Sequence, residues 1–212
     1  MLVLVWCVVG TSAVANWVSR ARHHARLETV SKPVATIAVA WLSVVVGRDQ
    51  PAGVLLSALI GFLLCLIGDV ALLDAVDSFI TGLGAFMAAH IAFIVMFVML
   101  GPDRPMLGLV GLSLVAVMVA GVGRVIVGGA RATKPKLVGP VMAYLSVISI
   151  MVVVGWSTGN VAATIGASLF VTSDAVLGWR AFVGEKRWMP LAVMMTYHGA
   201  LVGLALTLAG QP

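Results

Sequence analysis

The chain has 212 residues, 61% of them hydrophobic and 10% charged, with a formal net charge of +5. Soluble domains carry about 25% charged residues, so the composition excludes a soluble globular domain and indicates an integral membrane protein. Its two cysteines, Cys7 and Cys65, both lie in apolar runs, which excludes a disulfide framework and a Cys-x-x-Cys zinc site.

A helix needs ~20 apolar residues to cross a bilayer, and eight windows approach that length. They predict an all-α polytopic protein with transmembrane helices over roughly 1–18, 33–47, 52–73, 79–100, 106–127, 137–156, 159–179 and 189–209. The first, "MLVLVWCVVGTSAVANW", ends in an Ala-x-Ala pattern but carries its basic residues after the apolar stretch, so a membrane helix is expected rather than a signal peptide. The second is short and begins at Lys32-Pro33; the third carries Asp69 inside "IGDVALL"; the fourth has His90 at its middle. No helix is clearly broken in mid-membrane. Tyr144 falls in the sixth helix, Ser173 and Asp174 in the seventh, Tyr197 and His198 in the eighth. The connections "GRDQPAG", "GPDRP", "GGARATKPK", "STGN" and "GEKRW" are too brief to separate soluble domains, so one membrane domain is expected over 1–212.

Lysine and arginine are unevenly divided among the connections. Eleven fall at the ends of the odd-numbered helices (Arg20, Arg22, Arg26, Lys32, Arg124, Arg131, Lys134, Lys136, Arg180, Lys186 and Arg187), against Arg48 and Arg104 on the other side. The positive-inside rule then places both termini away from the cytoplasm, as in a bacterial inner-membrane protein. Cations near a membrane surface are attracted to anionic lipids by ~1 kcal/mol each. Membrane lipids, and not nucleic acid, are thus the expected partners of the basic loops.

The two halves resemble each other. "IGFLLCLIGDVALLD" (60–74) aligns with "IGASLFVTSDAVLGW" (165–179), pairing Asp69 with Asp174; His90 pairs with His198, and Lys32-Pro33 with Lys134-Pro135. A four-plus-four repeat with halves 1–105 and 106–212 is expected. It relates the halves by an axis along the membrane normal. Both aspartates then sit near the cytoplasmic ends of their helices and can face each other.

An intramembrane charge costs at least ~2.5–3.5 kcal/mol on insertion scales, and that cost needs an offset. Two matched carboxylates in one polar cavity suit acid–base work, because proximity separates their two protonation steps. Lys32, His90, Tyr144, Ser173, Tyr197 and His198 are the polar residues expected around them. No metal or other cofactor is expected. Two His and two Asp without His-x-x-x-His spacing fall short of a three-ligand zinc site with an open position.

The motifs "KPVAT" (32–36), "IGDVALL" (67–73), "FITGLGAFMAAHIAF" (79–93), "MAYLSVISIM" (142–151) and "GASLFVTSDAVLGWRAF" (166–182), with "TYHGALVGLAL" near the end, resemble the lysoplasmalogenase (YhhN-like) family. That resemblance implies an eight-helix membrane hydrolase acting on a lysophospholipid. It would cleave the vinyl ether bond of lysoplasmalogens to a fatty aldehyde and a glycerophospho-headgroup. Asp69 and Asp174 would be the catalytic pair, Lys32 would hold the phosphate, and the remaining polar residues would orient water or substrate. The rival reading is a proton-coupled small-molecule or lipid transporter, since repeats and intramembrane carboxylates serve there too.

Overall fold

The computed structural model describes residues 1–209; the last three residues of the domain expected over 1–212 lie outside the described residues. The elements are α1 (Leu2–Ala21), α2 (Ala25–Val46), α3 (Ala52–Ala71), α4 (Phe79–Leu100), α5 (Pro105–Met118), α6 (Arg124–Thr133), α7 (Val138–Ser157), α8 (Val161–Phe182) and α9 (Met189–Leu206). A π-helical turn, Val119–Gly123, joins α5 to α6, so the two form one span. Among the described residues there are eight helices long and apolar enough to cross a membrane, and no strand.

Two elements depart from the windows read off hydropathy. The second span begins at Ala25, so Lys32-Pro33 lies inside it and does not open it. Its first turns look like loop because they hold Glu28, Ser31 and Lys32, yet all three side chains are buried against neighbouring helices. Pro33 forfeits one backbone hydrogen bond, a loss tolerated where surrounding helices satisfy the freed group. The turn that ends α1 instead falls at Arg22–His24, where His23 has φ +56°.

The fifth span runs on to Thr133 and is interrupted by its π turn. Such a turn inserts one residue and rotates the faces that follow it. Arg124 Nε donates to the Ala120 carbonyl within that turn at 2.6 Å. At "STGN", Gly159 takes φ +70° and the Asn160 side chain accepts from the Ala162 and Ala163 amides at 2.9 and 3.1 Å, an N-cap that starts α8.

The closest packing is between α1 and α2, α3 and α4, α5 and α7, and α8 and α9. Next, α2 lies on α3 and α7 on α8, while α4 crosses to α7 and α2 to α9. Counted by span, each of these contacts in one half has a counterpart in the other. One does not: α1 packs on α9, but the α5–α6 span has no comparable packing on α4. The core divides accordingly. A large cluster centres on Phe62, Phe93, Phe97, Phe170, Met151 and Leu204, and a small one joins Ile126, Ala130, Val141 and Phe182. Leu56, Leu63, Ile80, Leu112 and Val117 face outward, as a lipid-facing belt should.

Helices α8 and α9 touch backbone to backbone at Gly166 and Gly203. A β-carbon on Gly203 would lie 2.7 Å from the Gly166 Cα, and nothing flexible stands there to yield. Small residues at such crossings let helices approach in lipid. Gly203→Val is expected to destabilise the protein by at least about 1–3 kcal/mol, read as a lower Tm in detergent.

Candidate active site

Asp69 lies near the C-terminal end of α3, on the face turned to α2 and α9, and is fully buried. Thr36 Oγ1 donates to its Oδ2 at 2.5 Å and Tyr197 Oη to the same oxygen at 2.8 Å. Lys32, one turn before Thr36, places Nζ 3.5 Å from Oδ1 and donates to the Asp69 carbonyl at 3.3 Å. An ionised carboxylate only accepts, and each of these neighbours donates, so the cage is built for the anion. Oδ1 has the ammonium beside it but no hydrogen bond.

Asp174, on α8, is surrounded differently. Tyr144 Oη donates to its Oδ2 at 2.5 Å, and His90 Nε2 stands 3.3 Å from that oxygen, near enough to pair but off-line for a hydrogen bond. The other ring nitrogen of His90 meets the Phe86 carbonyl. A carbonyl can only accept, so Nδ1 carries a hydrogen. Nε2 and Oδ2, 3.3 Å apart, would therefore face each other as two lone pairs unless one of the two groups is protonated. The His90–Asp174 pair is a place to hold one proton. Phe170 and Tyr144 fix the imidazole edge-to-face, with ring centroids at 4.5 and 5.3 Å. The Asp174 side chain keeps 11% of its surface open, whereas that of Asp69 keeps 1%.

Both carboxylates line one polar cavity, together with Arg20, Lys32, Asp74, Ser173, Arg180, Glu185 and Tyr197. These residues come from the ends of α1 and α3, the second half of α8, the first halves of α2 and α9, and the connections after α3 and α8, so the cavity opens at the end of the bundle rich in lysine and arginine. No hydrogen bond or ion pair joins Asp69 to Asp174 among the described residues. A second cavity, almost wholly apolar, begins at Asp174 and runs among α4, the π turn, α7 and α8, past Leu83, Met118, Val122, Ile148 and Val171. It occupies the place where α4 and the fifth span fail to pack. Phe79 and Phe182 stack edge-to-face at 5.6 Å near its polar end, with Lys134 Nζ 5.5 Å from the Phe79 ring. Asp174, Leu72, Phe79, Phe86 and Leu177 line both cavities, and Asp174 alone of these is polar.

Of the residues singled out from sequence, Lys32, Tyr197, His90 and Tyr144 meet the carboxylates directly. Ser173 lines the polar cavity while donating to the Val193 carbonyl at 3.1 Å, tying α8 to α9. His198 turns away: Trp17 Nε1 donates to its Nδ1 at 3.0 Å, and it lines neither cavity. Thr36 was missed, although its position one turn after Lys32 puts it on the same helix face. Among the described residues no three His, Cys, Asp or Glu side chains are grouped to hold a metal ion.

A family model described as the YhhN family matches residues 27–208. The Homo sapiens protein named "Lysoplasmalogenase TMEM86B" is 31% identical over 164 residues, covering 77% of this chain and 68% of its own. The Sus scrofa protein of that name is 32% identical over 155 residues, covering 72% and 63%. The chain thus spans about two thirds of the length of these relatives. No solved structure matches significantly.

Proposed function

The chain belongs to the YhhN family, and from that premise we propose that it hydrolyses the vinyl ether bond of lysoplasmalogens by carboxylate acid–base catalysis. The observation that carries the reading is the position of Asp174, where an apolar cavity meets a polar one. A lysoplasmalogen has the same division: an alkenyl chain, then the vinyl ether, then a glycerophospho-headgroup. With its chain in the apolar cavity and its headgroup in the polar one, the ether lies at Asp174.

The pair of Asp174 and His90 supplies the first proton. It passes to the outer alkene carbon, whose π electrons form the new C–H bond and leave an oxocarbenium ion. Asp69, held as an anion by Lys32, Thr36 and Tyr197, stabilises that cation from across the cavity. Asp69 then accepts a proton from the water that attacks the cationic carbon. The hemiacetal then collapses: Asp69 gives its proton to the departing glycerol oxygen as the C–O bond breaks, and the hemiacetal hydroxyl gives its proton to the Asp174–His90 pair as the aldehyde carbonyl forms. One water is consumed and each carboxyl group ends as it began. The two carboxylates divide the work as acid and stabiliser, much as the pair in a glycosidase does.

The test is aldehyde release by the purified protein from a lysoplasmalogen, beside saturated ether and acyl lysolipids of the same headgroup. Only the vinyl ether is expected to react, and in D2O the aldehyde should carry one deuterium on the carbon next to its carbonyl. Well-folded protein that releases no aldehyde would overturn the reading in favour of transport.

A further inference from the structure

The mechanism leaves two cations of the polar cavity unused. Arg20, at the end of α1, and Arg180, near the end of α8, both line it and keep 18% and 20% of their side-chain surface open. Lys32 is not free to join them, since its ammonium lies against Asp69 and is almost fully buried. Each arginine is held in place through part of its guanidinium only. Arg20 NH1 meets Glu28 Oε2 at 2.8 Å, while its buried Nε has no partner. Arg180 directs Nε and NH2 at one oxygen, Glu185 Oε1, at 3.0 and 2.7 Å, leaving NH1 unengaged. Guanidinium groups held this way, with donors to spare, suit the forked oxygens of a phosphate better than any lysine.

We propose that Arg20 and Arg180 form a phosphodiester clamp at the mouth of the polar cavity, binding the phosphate of the lipid whose ether bond lies at Asp174. The clamp rests on the reading given above, and it shifts the phosphate from Lys32, where sequence alone placed it. Arg20 precedes the region matched by the family model, so the clamp draws on a residue outside that region. Glu28 and Glu185 hold the guanidinium groups ready. The phosphate then takes up the free donors of Arg20 and displaces or shares the Glu185 contact of Arg180. The clamp contributes to binding and not to proton transfer.

The test compares two kinds of ligand in wild type, Arg180→Gln and Arg20→Gln: those with a phosphate and those without. Binding of a saturated 1-alkyl lysophospholipid, which cannot be cleaved, is measured against binding of the matching 1-alkylglycerol. Hydrolysis of the vinyl ether lysophospholipid is measured against that of 1-alkenylglycerol. Each variant is expected to bind the phospholipid at least about tenfold more weakly, the loss of a charged hydrogen bond, and to show it in KM. Affinity and kcat/KM for the phosphate-free ligands should stay within about twofold of wild type by the same reasoning. Equal losses on both kinds of ligand, or none on either, would overturn the clamp. So would inorganic phosphate that binds as tightly as the lipid. Arg20→Gln strands the buried Glu28, so Arg20→Gln/Glu28→Gln replaces it if the single variant unfolds. The binding arm reports on the clamp even where no aldehyde forms, and a wild type that binds but does not cleave would count against the hydrolase alone.

Discussion

Asp174→Asn is expected to release aldehyde at least about a thousandfold more slowly than wild type, within the range of roughly 10²–10⁴ that general acid–base catalysis supplies. The substitution keeps shape and leaves Tyr144 a carbonyl oxygen to donate to, but it removes the carboxylate proposed to share a proton with His90. Because the Asp174 side chain is partly open to the cavity, the amide is not stranded, and Tm should move little. Tyr144→Phe should lower kcat by a smaller factor, since it removes one donor to Oδ2 and leaves the proton-holding pair. Wild-type turnover in a folded Asp174→Asn protein would remove Asp174 from the chemistry.

The largest stability effect is expected at Lys32 and Asp69. Both side chains are almost fully excluded from solvent, and removing one partner of a buried pair costs about 3–5 kcal/mol because the other charge is left alone. Lys32→Met and Asp69→Asn should each lower Tm sharply. The double variant Lys32→Met/Asp69→Asn should regain much of that loss, because two neutral side chains need no counter-charge. Aldehyde release should stay absent in the double variant, since the anion proposed to steady the oxocarbenium ion is gone. Stability and activity therefore come apart in one cycle of four proteins, read by thermal unfolding and by turnover. Additive losses of Tm would instead mean that the two charges do not support each other.

The number and order of membrane helices were legible because hydropathy over twenty residues is an additive property. Its failures have one cause: polarity was taken for exposure. Glu28 and Lys32 made the start of α2 look like a loop, when their charges are neutralised inside the bundle by Arg20 and Asp69. The carboxylates stood out because a charge in an apolar run is rare, and Lys32, His90, Tyr144 and Tyr197 followed from their places on helices that start at the same end. His198 was drawn in by its match to His90, but matching position does not decide the neighbour. Trp17 of α1 engages the ring of His198, while the ring of His90 is left facing Asp174. Thr36 and the arginines of the polar cavity needed helix packing to be found, since which faces meet is set by contacts between spans distant in sequence. The apolar cavity was invisible for the same reason: it is a contact that one half makes and the other lacks.

That missing contact between α4 and the fifth span bears on what happens after cleavage. On the proposed reaction, the aldehyde is left with its chain in an apolar gap between α4 and the fifth span, while the glycerophospho-alcohol is left in a charged cavity that opens at the bundle's end. Lipid takes up the first and water the second. Once apart, the two products no longer share a phase in which to recombine, so partition between oil and water draws the hydrolysis forward.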